Sequence, residues 1–269
     1  MQSTRDAMKD NDLSKEREAY FARERRTTAN LILGGWAVSA ITYALNPGLA
    51  EVTSINAITW PLICLFFRYF DVRSSGRVKA VTSGLKGESY VHSLLSRISR
   101  DMVVINQVFL PNDKSRTGHT ELDFILIGRK ALYVVETKNN SGRIKASEHD
   151  REWDVVHPSK KRYRMRNPVK QVLIQKAVLK RCLRKHGMGN VIIQPVVAFS
   201  SPNAKVHGAD GVTVPIFTRP MNDLIQRIIN YERALHSRPH LDHGALQKVL
   251  AQLAEEAKRN AKPFDKNKG

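Results

Sequence analysis

Asp123, Glu136 and Lys138 are the residues whose types and spacing could do chemistry. They lie in Glu121-Leu-Asp-Phe-Ile-Leu-Ile-Gly-Arg-Lys-Ala-Leu-Tyr-Val-Val-Glu-Thr-Lys138, which reads as two strands joined by a two-residue turn at Arg129-Lys130. With that turn, residues whose numbers sum to about 259 face each other across the pair. Asp123 then faces Glu136, Glu121 faces Lys138 and Ile125 faces Val134, all on one side of the sheet. The other side carries Leu122, Phe124, Leu126, Tyr133 and Val135. Both sides are apolar near the turn, and the charges collect at the open end.

Two carboxylates about 5 Å apart across a strand pair repel by roughly 3 kcal/mol at an effective dielectric of about 20. A buried sheet keeps such a pair beside a cation, and the two cations on offer are Lys138 and a divalent metal. Hard oxygen donors suit Mg2+ or Mn2+ rather than zinc or copper. The plain alternative is an exposed edge hairpin with a salt-bridged end, which the apolar flanks on both sides argue against.

The surrounding pattern alternates helices and strands. Gly84–Arg100 has helical spacing of Leu85, Val91, Leu94, Leu95 and Ile98. Met102–Leu110, Glu121–Ile127, Ala131–Thr137, Trp153–Val156, Val191–Phe199 and Val212–Phe217 read as strands. Asn167–His186 reads as a long helix, capped by Asn167, with Pro168 in its first turn and Gly187 at its end. Asn222–Leu235 and His243–Ala261 read as closing helices, the last a packing or homo-oligomerisation helix. This predicts an α/β fold with a mixed sheet flanked by helices.

The chain has 269 residues, 44 Lys and Arg against 25 Asp and Glu, and a formal charge of +19. That balance points to a polyanion, either nucleic acid or an anionic membrane surface. Two cysteines far apart, Cys64 and Cys182, exclude a disulfide scaffold and fit a reducing compartment. Val155–Ala209 contains twelve Lys and Arg and no acid. Lys160, Lys161, Arg162, Arg164, Arg166 and Lys170 are its densest part and suit phosphate neutralisation. A solvated helix face explains Lys176–Lys185 as well as DNA does. His236, His240 and His243 read as surface histidines rather than a metal set. There is no P-loop, no dinucleotide fingerprint and no nucleophile elbow.

Residues 30–67 contain no Lys or Arg and one acid, Glu51. They hold two apolar segments, Leu31–Leu45 and Ile55–Phe70, separated by the turn signal Asn46-Pro47-Gly48. Arg23, Arg25 and Arg26 precede the first segment, while Arg68, Arg73, Arg77 and Lys79 follow the second. This asymmetry predicts a hairpin across a membrane with both ends cytoplasmic. Trp36, Tyr43, Trp60 and Tyr69 are expected near the interfaces. A buried helical hairpin or a dimerisation element of a soluble protein is the alternative.

Asp123 followed by Glu136-Thr137-Lys138 on the next strand resembles the D…ExK core of the PD-(D/E)XK nuclease superfamily, and more narrowly the nuclease-related domain family, NERD. The matching stretches are Gly84-Leu-Lys-Gly-Glu88, Val104-Ile-Asn-Gln-Val108, Thr120-Glu-Leu-Asp123, Tyr133-Val-Val-Glu-Thr-Lys-Asn139, Gly142-Arg-Ile144, Trp153 and Asn167-Pro-Val-Lys-Gln171. Leu122 stands where the superfamily name has proline, which removes no ligand. The resemblance implies a restriction-endonuclease-like fold and Mg2+-dependent hydrolysis of DNA phosphodiesters. It implies that Asp123 and Glu136 hold the metal with the backbone carbonyl of Thr137, and that Lys138 positions water or offsets transition-state charge. Glu88 would be a further ligand or water-orienting acid, and Gln171 would contact substrate or Glu136.

The expected organisation is a charged cytoplasmic segment 1–29, a transmembrane hairpin 30–70, a nuclease domain 80–218, C-terminal helices 219–261 and a disordered basic tail 262–269. The expected location is the cytoplasmic membrane, with the catalytic domain facing the cytoplasm, DNA as one partner and lipid as another. A non-cleaving DNA-binding module, or a membrane-associated scaffold in DNA transfer or defence, is the alternative function.

Overall fold

The structure is a computed structural model that describes residues 12–49, 55–56, 58–66, 76–98 and 101–261. The chain forms two compact units, one spanning Asp10–Leu85 and one built from Lys86 onward.

In the first unit, helix α1 (Asp12–Leu45) runs through the expected boundary at residue 29 without a break. It contains Arg26–Leu45, which is long and apolar enough to cross a membrane and has no buried residue. The helix stops before Pro47–Leu49, a 3-10 turn at the expected Asn46-Pro47-Gly48. Residues 55–56 and 58–66 are helical. The Trp60 indole donates to the Leu31 carbonyl at 3.1 Å, and a side chain at Gly35 would overlap the same indole. Trp60 therefore meets α1 near the start of the apolar segment. Leu33, Ile41, Ile58 and Leu62 are exposed. The end of the second apolar segment with Tyr69, and the tail 262–269, lie outside the described residues.

The second unit is α/β. Helix α2 spans Gly76–Leu95 and is shared with the first unit. It starts eight residues earlier than the spacing suggested and ends at Leu95, where the chain leaves through a turn at Ser96 and Arg97. A five-stranded sheet has the order β1-β2-β3-β7-β9, formed by Val103–Pro111, His119–Ile127, Ala131–Lys138, Ile192–Phe199 and Ile216–Thr218. β1, β2 and β3 are antiparallel; β7 and β9 add in parallel. A second sheet has the order β6-β5-β4-β8, formed by Arg162–Arg166, Glu152–Val156, Gly142–Lys145 and Ala204–His207. Helices α3 (Pro168–Lys185), α4 (Asn222–Ala234) and α5 (His243–Arg259) complete the unit.

The central sheet separates two cores. Phe124, Leu126, Tyr133 and Val135 pack with Val91 and Leu95 of α2 and Leu224 and Ile228 of α4. Ile105, Val108, Ile125 and Val134 pack with α3, α5 and the inner side of the second sheet. The apolar stripe of α5, Leu246, Val249, Leu250 and Leu253, is buried in this core, so the helix packs within its own chain.

One face assignment is corrected. Leu122 lies in the core with Ile125, not with Phe124. Residues of odd separation share a side only where a strand loses its alternation. β1 does the same, placing both Ile105 and Val108 in that core. Between them, Gln107 has φ of 50°, left-handed backbone that a residue with a Cβ adopts rarely. The kink lies opposite Asp123, and both strands change face there. The expected strand Val212–Phe217 is also shorter, because Ala209–Gly211 forms a 3-10 turn and pairing begins only at Ile216.

Candidate active site

The β2–β3 register matches the sequence expectation. Phe124 pairs with Val135, Ile125 with Val134, Leu126 with Tyr133 and Ile127 with Leu132, each pair summing to 259. Gly128 N–H closes the turn on the Ala131 carbonyl at 2.9 Å. Beyond Phe124 the ladder ends, and the Asp123 carboxylate itself accepts the Thr137 N–H at 2.7 Å. A side chain has taken the place of a backbone acceptor, so Asp123 is fixed beside β3 where the two strands part.

Glu136 is 1 % exposed, and both its oxygens are held. Lys138 Nζ lies 2.6 Å from one, and Gln175 Nε2 donates to the other at 2.6 Å. Lys138 also donates to Gln171 Oε1 at 3.0 Å, and Gln175 donates to the Glu121 carbonyl at 3.1 Å. The two glutamines are one turn apart on α3, so they share a face. Asn167 sets the position of that helix. Its side chain accepts from Val169 N–H and Lys170 N–H, and donates to the carbonyls of Ser147 and Asp150. The cap thus ties the start of α3 to the loop before β5.

Glu88 approaches from α2. It lies twelve residues into that helix rather than at its start. Gly87 makes the approach feasible, because a Cβ there would collide with Ser200 Oγ and crowd Asn139. Gln107, at the kink, donates to Glu88 Oε2 at 3.5 Å. Burial, then the charges of Glu121 and Glu136, push the Glu88 carboxyl up to about 7. Burial and Glu136 hold the Asp123 carboxyl well above the usual range, against the opposing pull of Thr137 N–H and Lys138. Buried like charges of this kind favour a bound cation or a proton. The Thr137 hydroxyl and Gln175 Oε1 are buried without a partner. Among the described residues, no group of three or more His, Cys, Asp and Glu is arranged to hold a metal ion.

Asp123, Glu136, Lys138 and Gln171 therefore come together, with Glu88 at their edge. Gln175 and Gln107 were not expected there. A signal for Gln175 existed, since it is the polar residue within the buried stripe of Val172, Val178 and Leu179 on α3. Gln107 lay within the matching stretch Val104-Ile-Asn-Gln-Val108, to which no role was attached.

The basic cluster is elsewhere, on the β5–β6 hairpin of the second sheet. Lys160 and Lys161 form its turn, closed by His157 N–H on the Lys161 carbonyl at 2.9 Å. Arg162, Arg164 and Arg166 project outward from β6, while Lys170 donates to the His149 carbonyl at 2.6 Å. The acids missing from Val155–Ala209 are supplied by the neighbouring strand. Glu152 pairs in register with Arg166, and Asp154 with Arg164, whose side chains lie 3.5 Å apart. An open cavity of about 960 Å3 lies between this hairpin and α3, lined by Arg164, Arg166, Lys170 and Gln171 among others. Through Gln171 it adjoins Lys138.

The site thus gathers acids and a lysine at the open end of a central hairpin in a mixed α/β fold. Residues 83–200 match the family model of the nuclease-related domain, NERD. No match was found among curated proteins or among solved structures.

Proposed function

We propose that the protein is a membrane-anchored, metal-dependent nuclease that hydrolyses DNA phosphodiester bonds by PD-(D/E)XK-type chemistry on a restriction-endonuclease-like fold. The observation that carries this reading is the meeting of Asp123 and Lys138 around buried Glu136 within a nuclease-related domain. The donor set fits Mg2+ or Mn2+. Asp123, Glu136 and the Thr137 carbonyl are oxygen donors, and Mg2+ commonly takes one or two carboxylates and completes its shell with water and phosphate. A bound ion would supply Lewis-acid stabilisation of the phosphoryl oxygens and a more acidic water.

The chain's own residues do the rest. Gln175 holds one oxygen of Glu136 and so fixes the orientation of the carboxylate. Gln171 gives Lys138 a second partner, so the ammonium stays near the site when Glu136 is engaged by a cation. Lys138 then orients the attacking water or offsets charge on the phosphoryl group. Glu88, whose carboxyl burial and the neighbouring acids push up to about 7, can hold or pass a proton.

The membrane anchor rests on Arg26–Leu45, which has no buried residue, and on the exposed apolar residues of 55–66. Arginines on both outer flanks favour a hairpin with both ends cytoplasmic. Full-length protein should fractionate with membranes and resist extraction by high salt. Recovery in the soluble fraction would remove the anchor from the reading.

A second reading has a specific observation behind it. The Lys138–Glu136 ion pair satisfies the acid without metal, as a DNA-binding module that no longer cleaves would require. Purified full-length protein, incubated with duplex and single-stranded DNA with and without Mg2+ or Mn2+, separates the two. Metal-dependent cleavage should appear in the wild type and fall at least about a hundredfold in Glu136→Ala or Asp123→Ala. Binding without cleavage under every metal condition would leave the module.

A further inference from the structure

The second sheet alternates strictly. Ile144, Trp153, Val155 and Met165 point into the core. The opposite side bears Arg143, Lys145, Arg162, Arg164, Arg166 and Lys205, all exposed, against two acids, Glu152 and Asp154. The acids are not spread evenly. Asp154 and Glu152 stand in register with Arg164 and Arg166. Across the sheet, Arg162 pairs with Val156, Val156 with Arg143, and Arg143 with Lys205. That row carries three cations and no acid. Arg143 and Lys205 are like charges at paired positions, an unfavourable arrangement for sheet stability alone. Among the described residues neither has an ion-pair partner. Lys160 and Lys161 extend the row at the hairpin tip.

We infer that the outward side of the second sheet is a phosphate-binding platform for duplex DNA, centred on the paired Arg143 and Lys205. It deepens the nuclease reading, on which the identity of the polyanion rests. Three observations select the duplex. Neighbouring strands lie about 4.8 Å apart and alternate residues along a strand about 6.6 Å apart, so the cations are spread over a two-dimensional array that can meet several phosphates of a densely charged duplex at once. The aromatic residues of these strands, Trp153 and Tyr163, face inward, so the platform offers no Phe, Tyr or Trp for the stacking that single strands use. It also lacks the large apolar side chains that insert into a lipid surface. The cavity beside Arg164 and Arg166, lined also by Asp150, Glu152 and Asp154, reaches Gln171, the hydrogen-bond partner of Lys138, and so links the edge of this side to the site.

The test uses full-length protein in neutral detergent micelles with chelator, binding a fluorescent 20-base-pair duplex over a salt series. Arg143→Gln/Lys205→Gln should weaken binding and lower the slope of log affinity against log salt by about 1.8, two contacts at about 0.9 each. The exposed pair Arg227→Gln/Lys248→Gln, with the same charge change on α4 and α5, should leave the slope unaltered. Equal loss in both double variants would reduce the effect to net charge and overturn the platform, as would no loss in either or no duplex binding by the wild type. Loss of binding to phosphatidylserine vesicles in Arg143→Gln/Lys205→Gln with an unchanged DNA slope would assign the side to lipid instead. Mn2+-dependent hydrolysis of a small chromogenic phosphodiester, which does not reach the platform, reports on the chemistry separately. Its persistence in Arg143→Gln/Lys205→Gln is expected, and its absence from the wild type would end the nuclease reading while leaving the slope result standing.

Discussion

At the turn end of the β2–β3 hairpin, Glu232 accepts the Tyr133 hydroxyl and the Lys130 N–H, each at 2.9 Å. At the open end, Glu136 accepts the Lys138 ammonium and the Gln175 amide, each at 2.6 Å. Both glutamates are buried and both have their oxygens filled. Glu232 is served by neutral donors, and its neighbours close the turn. A Cβ at Gly128 would strike its carboxylate, Lys130 Nζ reaches the His236 carbonyl, and Leu241 N–H meets the Arg129 carbonyl. Burial beside that carboxylate pushes the Tyr133 hydroxyl well up, so it stays a donor. Glu136 instead shares its surroundings with Asp123 and Glu88, whose carboxyls are both pushed up. Glu232 has only neutral donors around it, whereas Glu136 has a cation and an amide on its oxygens and two further acids nearby. The difference separates a latch from a site.

The largest break in that comparison is Lys138→Ala. It takes the cation away from buried Glu136 beside Asp123, at a cost of about 3 kcal/mol in metal-free protein, the low end for breaking a buried ion pair because Lys138 is 22 % exposed. Mn2+ should restore much of this, since an ion binding only the folded state contributes about 1.4 kcal/mol at ten times its Kd. Melting curves with chelator and with Mn2+ measure both. Glu136→Gln should abolish the metal response and match or exceed the wild type without metal. A salt-bridged surface hairpin would instead keep both variants within about 0.5 kcal/mol of wild type.

At the latch the expected loss is smaller. Glu232→Ala orphans the Tyr133 hydroxyl and Lys130 N–H, for about 2 kcal/mol, which is a fall of several degrees in Tm. Metal should not reduce it, and cleavage per folded molecule should be unchanged. A metal-dependent rescue of Glu232→Ala would erase the distinction between the two ends.

The hairpin was the most legible part of the sequence because its order is local. A two-residue turn and strict alternation set the register from Phe124 to Ile127. The cap at Asn167 was equally readable, since its side chain bonds within three residues. What escaped depends on partners remote in sequence. β4 and β8 are four residues each, carry outward charges, and pair in parallel across about sixty residues. Nothing in Gly142–Lys145 alone marks a strand, and so the row of Arg143 and Lys205 was invisible. The kink at Gln107 escaped because glutamine has no preference for left-handed backbone, and the change of side at Leu122 follows from it. The helix before Glu88 began at Gly76 because no strong breaker stands between Gly76 and Gly84.

The smallest effect is a pH dependence at the open end. The Glu88 carboxyl is raised from 4.5 to about 7 by burial and by Glu121 and Glu136. A raised acid binds its proton in the folded chain after the unfolded chain has lost it. Between about pH 4.5 and 7 the folded state therefore holds more protons, and stability falls as pH rises through that window. Asp123 is raised for the same reason and adds a fall of the same sign. One proton sets a limit of about 1.4 kcal/mol per pH unit, and the solvent that reaches half-buried Glu88 keeps its share below that limit. Glu88→Gln removes its share, so its Tm should decline less than that of the wild type from pH 5 to 7 in chelator. Saturating Mg2+ or Mn2+ should flatten the wild-type curve as well, because a divalent ion favours the charged carboxylates. Parallel wild-type and Glu88→Gln profiles would place Glu88 outside the electrostatics of the site and leave Asp123, Glu136 and Lys138 to act without it.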